Sequence, residues 1–323
     1  MKKNFRIFIL PLLFAAFFVA CSKVTPTPNP YNWTYYASKD GLVDNNVNDL
    51  AVDAQGNIWV ATEFGVSMFD GTSWTKYNTP QGLIHHQVNT VAVGNDNRVW
   101  LGTPFGVSLF YNNQWQSFTQ SNGMSYNYVY DIAIDKNNNP WFATGRGVSN
   151  FDGNNWRVFV KEGGSTLVHD IVRSVAIDEN NNKWFGTEFG VSLFDEQGWQ
   201  TFMAGNNQAG FVVSLFNGQE SGMWFGSLAG VTNFNDQIFK DYSMSNGLVF
   251  NRVDAIEKDQ SGTMWFGTRF GVSSFDGTQW TSFTENNGLP DKWVTSIVVD
   301  KNNKIWFGTK NRGIAVLEIQ PLL

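Results

Sequence analysis

The sequence predicts an all-β fold, a seven-bladed β-propeller with four antiparallel strands per blade, and three observations carry that prediction. A tryptophan followed by one residue, a small residue and then Thr or Ser recurs at Trp59, Trp100, Trp141, Trp184, Trp224, Trp265 and Trp306, at intervals of 41, 41, 43, 40, 41 and 41 residues. Between recurrences, four short β-type runs alternate with Gly, Asn and Asp turns, and no stretch sustains a helical period. The two ends are complementary: residues 32–36 (NWTYY) read as a fourth strand lacking its first three, and the last copy stops after its third strand. Four strands in each unit of about forty residues describe a propeller blade.

Residues 47–77 show the order of elements. VNDLAVD is the innermost strand, AQGN a polar hairpin turn, IWVAT the second strand, EFG a turn, VSMFD the third strand, GTS a turn and WTKY the outer strand. The glycine opening each third strand (Gly65, Gly106, Gly147, Gly190, Gly230, Gly271, Gly313) suits a turn that needs positive φ. Closure follows from spacing. The outer-strand aromatic precedes the next blade's tryptophan by 26 residues at Trp74, Trp115, Phe239 and Trp280, by 28 at Trp156 and by 25 at Trp199, and Trp33 precedes Trp59 by 26 as well. The N-terminal strand therefore completes the last blade and removes both free sheet edges, where a linear solenoid would need capping units.

Composition sets further bounds. The 323 residues include 14 Trp, 9 Tyr and 28 Phe against 15% charged residues, enough to build a large core without staples. The single cysteine excludes an internal disulfide. Net charge is −6 and becomes more negative without the basic N-terminus, which argues against nucleic acid and against docking on anionic lipid. Residues 1–20 carry Lys2, Lys3 and Arg6 ahead of an apolar run, and read as a signal peptide ending in Phe18-Val19-Ala20-Cys21, which resembles a bacterial lipobox. Cys21 is then the lipidation site, residues 21–31 a lipidated, Pro-rich tether, and residues 32–323 the propeller. The expected location is the outer membrane of a bacterial envelope, held only through the lipid. It is expected to face the periplasm, because Ser22-Lys23-Val24 lacks an acidic export run.

The strand IWFGT, the run GVSxFDG, the W-x-x-Y/F outer strand and the NGL loops (Asn246-Gly247-Leu248 and Asn287-Gly288-Leu289) resemble the two-component regulator propeller repeat over residues 32–323. That repeat builds the periplasmic sensor region of Bacteroidetes hybrid two-component systems. The resemblance implies a stand-alone envelope propeller of sensor type, with a glycan breakdown product as its expected ligand.

The repeat also serves as a control: what recurs in every blade serves packing, and what breaks the pattern at the channel mouth is a candidate for recognition. The loops entering the innermost strands differ in every blade. They offer His85 and His86, Tyr126 and Tyr128, His169, Phe250 and Arg252, and Asp291, Lys292 and Trp293. Aromatic faces beside amide and charged groups suit a carbohydrate or peptide ligand. The turns between second and third strands add Arg146 and Arg269 as partners for a carboxylate, while Phe64, Phe105, Phe189 and Phe270 at the same turns read as packing against a neighbouring blade. Turns such as Asp135 to Asn139, Asp178 to Asn182 and Asp300 to Asn303 echo the opening of a calcium loop. They lack its later glycine and glutamate, so they read as hairpin turns rather than metal sites. No cofactor or metal is implied, and a monomer is expected.

Three functions fit: a non-enzymatic ligand binder, a protein docking scaffold in an envelope assembly, and an enzyme similar to the seven-bladed streptogramin lyases. The last would pair His85 or His86 with His169 as acid and base. No other catalytic motif is present.

Overall fold

The computed structural model describes residues 31–161, 167–195, 197–202 and 210–319. The predicted signal peptide, Cys21 and the tether up to residue 30 lie outside the described residues. Seven four-stranded antiparallel sheets form the ring, as the repeat predicts. In the blade of residues 47–77 the strands are Val47–Val52, Ile58–Thr62, Gly65–Phe69 and Trp74–Tyr77. We number the blades 1 to 7 from this one. The second strands are buried along nearly their whole length because a neighbouring blade covers each face, which explains their apolar content. All seven third-strand glycines have positive φ, from 79° to 142°.

The ring closes through the strand Tyr31–Tyr36, which pairs antiparallel with Gly313–Ile319 from Tyr31 opposite Ile319 to Tyr36 opposite Ile314. It starts at Tyr31, one residue earlier than the sequence suggests, because the Tyr31 ring packs edge-on against Phe283 of blade 6 at 5.0 Å. Blade-to-blade contacts are aromatic throughout. Trp59 of blade 1, for example, sits among Val91, Val99 and Leu101 of blade 2.

The aspartate-rich hairpin turns are structural. Asp135 Oδ1 accepts the backbone N–H groups of Asn137 and Asn139 at 2.9 Å each, and its Oδ2 accepts the indole N–H of Trp141 at 3.0 Å. The same clamp joins Asp53 to Trp59, Asp178 to Trp184, Asp259 to Trp265 and Asp300 to Trp306 at 2.9–3.1 Å. Each turn carboxylate thus supplies the acceptor that a buried indole requires.

In six inner strands the pairing register shifts just after the first residue. The extra residue of each bulge is Asn48, Tyr130, Arg173, Val213, Asp254 or Thr295. A bulge re-aims a side chain, and here all six border the central channel.

Candidate functional site

The inner strands enclose a channel cavity of about 650 Å³, with the bulged residues near the mouth. The loops entering the inner strands and the turns between second and third strands meet at this end, because in six blades the first residue of the inner strand pairs with the last of the second strand, as in Val47 with Thr62, and in blade 2 Thr90 pairs one residue short of it, with Gly102.

Blades 6 and 7 build the most concentrated polar group. Asp254 accepts from Arg252 Nε at 2.7 Å through Oδ1 and from the Trp293 indole N–H at 3.2 Å through Oδ2. Arg269 Nε stands 3.6 Å from the same Oδ2, an ion pair rather than a hydrogen bond. The Arg269 guanidinium lies over the Trp293 ring, 4.1 Å from its centroid, with Lys310 Nζ at 5.8 Å. Trp293 is therefore not the free stacking platform the sequence suggests, since one face is covered and its N–H is committed. Arg252 and Trp293 line the cavity, and Arg269, outside that lining, is partly exposed over the face of Trp293. Asp291 is buried. Its carboxylate accepts from the Trp293 backbone N–H at 3.2 Å and from the backbone and side-chain amides of Asn311 at 2.9 and 3.0 Å, so it organises the loop instead of facing a ligand.

The remaining loop residues are spread around the rim. His85 stacks on Phe105 at 4.5 Å and touches His86 at 4.2 Å, and His86 stacks on Phe64 at 5.5 Å. His169 meets Phe189 at 5.0 Å, Phe250 meets Phe270 at 4.6 Å, and Lys292 lies over Phe270 at 4.9 Å. The four phenylalanines are 49–60% exposed. Their expected packing against a neighbouring blade is corrected in part: Phe105, Phe189 and Phe270 stack on the loop entering their own blade, whereas Phe64 stacks on the loop entering the next and Phe270 also carries Lys292 from the next. Blade 3 has no phenylalanine at this turn, and Tyr126 instead lies over Gly145. Tyr128 contacts Tyr130, whose ring carries the Arg173 guanidinium at 4.2 Å, and Arg146 is exposed.

The histidines do not converge. His85 and His169 each accept a backbone N–H through Nδ1, from Gln87 and Ile171 at 3.1 Å. Among the described residues no hydrogen bond or ring contact joins His85 or His86 to His169. Nor, among those residues, do three His, Cys, Asp or Glu side chains group as metal ligands.

Deeper in the channel stand three carboxyl groups that the loop comparison overlooks. The Thr90 hydroxyl lies 2.9 Å from Asp49 Oδ2 and 3.4 Å from Asp131 Oδ1. Its one proton serves one of them, so the other contact is favourable only when a carboxyl is protonated. Burial, followed by the charge of Asp49, pushes Asp131 up to about 7, and burial raises Asp49 as well. Glu257, whose counterparts in the other blades are apolar, is pushed up to about 7 by burial. Arg173 pairs with Glu188 beside Tyr130. These residues break the repeat as clearly as the loops do, but they sit inside strands, where packing is the default reading.

A family description, two component regulator propeller, matches residues 41–64, 247–270 and 288–311. No curated protein matches the chain. Among solved structures, the extracellular domain of the hybrid two component system BT3049 from B. thetaiotaomicron superposes with a TM-score of 0.79 at 20% identity, over 90% of this chain and 42% of that one. The corresponding domain of BT4673 gives 0.73 at 17%, over 88% and 39%. The chain thus spans about two fifths of these extracellular domains. Virginiamycin B lyase from Staphylococcus aureus, solved with quinupristin, gives 0.72 at 15% identity, over 89% of this chain and 99% of that one. These likenesses establish the propeller fold.

Proposed function

We propose that this chain, which carries two-component regulator propeller repeats, is a non-enzymatic, sensor-type propeller that binds an extracytoplasmic glycan fragment at its channel mouth, tethered to the outer membrane through lipid on Cys21. The observation that carries this reading is the convergence of Arg252, Asp254, Arg269 and Trp293 beside an open cavity of about 650 Å³, at positions where the repeat breaks. The histidines favour binding over catalysis, since each of His85 and His169 commits one ring nitrogen to its own loop. The test is a thermal-shift screen of the full chain against oligosaccharides and peptides. A ligand that binds the native state alone raises Tm. One saccharide class should do so in the native chain and fail in Trp293→Ala. No shift with any saccharide would overturn the reading.

A second reading, a docking surface for an envelope protein, is favoured by the half-exposed Phe64, Phe105, Phe189 and Phe270 around the rim. Replacing Phe105 and Phe189 by Ser would then abolish partner binding and leave saccharide shifts intact.

A further inference from the structure

The cluster on blades 6 and 7 also specifies the charge of the ligand, an inference that rests on the binding reading above. Asp254 is largely buried and faces both arginines at Nε: its Oδ1 accepts from Arg252 Nε at 2.7 Å, and its Oδ2 stands 3.6 Å from Arg269 Nε, an ion pair without a hydrogen bond. A carboxylate held at Nε leaves the outer edge of the guanidinium, the two Nη groups, unused. Among the described residues no protein group accepts a hydrogen bond from an Nη atom of Arg252 or Arg269. Both side chains are partly exposed, and Arg252 lines the channel cavity. The Trp293 ring beneath Arg269 and its N–H on Asp254 fix the geometry, so the two guanidinium edges are held in place before any ligand arrives. Lys310 adds a third cation beside Trp293, and Lys292 stands on the adjoining turn over Phe270. Two carboxylates, Asp254 and the buried Asp291, against these four cations leave local positive charge at the mouth of a protein whose net charge is −6.

We propose that the mouth recognises a carboxylate-bearing saccharide, a uronate-containing oligosaccharide, whose carboxylate takes the free Nη edges of Arg252 and Arg269. Paired N–H donors in one plane match a carboxylate bidentately, which a single ammonium cannot do. Asp254 and Trp293 act as positioning residues in this arrangement.

The experiment is calorimetric titration of the full chain with three probes: trigalacturonate, its neutral trimethyl ester and triglutamate. Trigalacturonate should bind at least tenfold more tightly than the ester, and Arg252→Gln or Arg269→Gln should each remove at least tenfold of that affinity in a variant that still unfolds in one cooperative transition. Arg252→Lys keeps the charge but not the paired donors, and it should lose most of the affinity too. Equal affinity for acid and ester, or full affinity in Arg252→Lys, would overturn this inference while leaving a saccharide binder in place. Binding of triglutamate without trigalacturonate would overturn the saccharide assignment. Failure of both acid and ester to bind, together with a screen empty of any saccharide, would overturn the binding reading itself.

Discussion

The phenol of Tyr35 donates a hydrogen bond of 2.9 Å to the carbonyl of Gly288, 253 residues further along the chain, and the indole of its strand neighbour Trp33 covers the α-carbon of the same glycine. Four other outer-strand tryptophans cover a glycine of the preceding blade's loop in the same way: Trp74 on Gly41, Trp115 on Gly82, Trp156 on Gly123 and Trp280 on Gly247. The N-terminal strand therefore uses at the closure the contact that the chain uses between consecutive blades.

Gly288→Ala tests that closure. Its φ of 122° already disfavours a side chain, and an added methyl group would overlap the Trp33 ring. Gly277, with φ of 98° and open space around it, supplies the control for the backbone effect alone. Gly288→Ala should destabilise by about 1–3 kcal/mol more than Gly277→Ala in urea unfolding. Equal losses would show that Trp33 does not pack there in solution. Deleting residues 31–36 exposes the edge of the strand Gly313–Ile319 and should lower Tm more sharply than either substitution.

The carboxylate–indole clamp gives a second expectation. Asp135→Ala leaves the Trp141 indole N–H buried without an acceptor and unties the hairpin turn, for a loss of about 2–3 kcal/mol. Adding calcium to the native chain should leave Tm unchanged, because the oxygens of Asp135 are engaged by protein donors. A calcium-dependent rise in Tm would make these turns metal sites.

These particulars mark what sequence reading can reach. Strand order, the third-strand glycines and ring closure were legible because seven copies repeat the same local chemistry at nearly fixed spacing. The spacing of six residues between each clamp aspartate and its tryptophan was visible too. Its meaning was not, because nothing in a period shows that an indole folds back onto its own hairpin. At the mouth, Arg252, Arg269 and Trp293 were legible as breaks in the repeat, and the structure brings these three together. Their common partner Asp254 was not, because it is the extra residue of a bulge between Val253 and Ala255. Simple alternation cannot show that such a residue turns toward the channel. Asp291 illustrates the converse error: a charged residue in a variable loop whose partners, supplied by Asn311 on another turn, take up its carboxylate.

Burial of the channel carboxyls predicts how stability changes with pH. Asp131 and Glu257 ionise near 4 in the unfolded chain but are pushed up to about 7 in the fold, chiefly by burial. Between roughly pH 4 and 7 the native state therefore binds more protons than the unfolded state, and linkage requires stability to fall as pH rises through that window. The exposed turn aspartates Asp70, Asp152 and Asp276 act in the opposite sense. Backbone donors, with Ser73 the largest contributor at Asp70, hold them below the ordinary range, so their effect is confined to more acid solution. Tm should thus be higher near pH 5 than near pH 8. Asp131→Asn with Glu257→Gln should flatten that slope, because neither amide can ionise, and the amide that replaces the Asp131 carboxyl can still meet the Thr90 hydroxyl. The measurement is Tm against pH for both proteins at fixed ionic strength. A native chain whose stability rises from pH 5 to 8, or a double variant with an unchanged slope, would mean that these carboxyls are ionised in the folded channel. Thr90 would then stand between two charged aspartates instead of bridging a carboxylate and a protonated carboxyl.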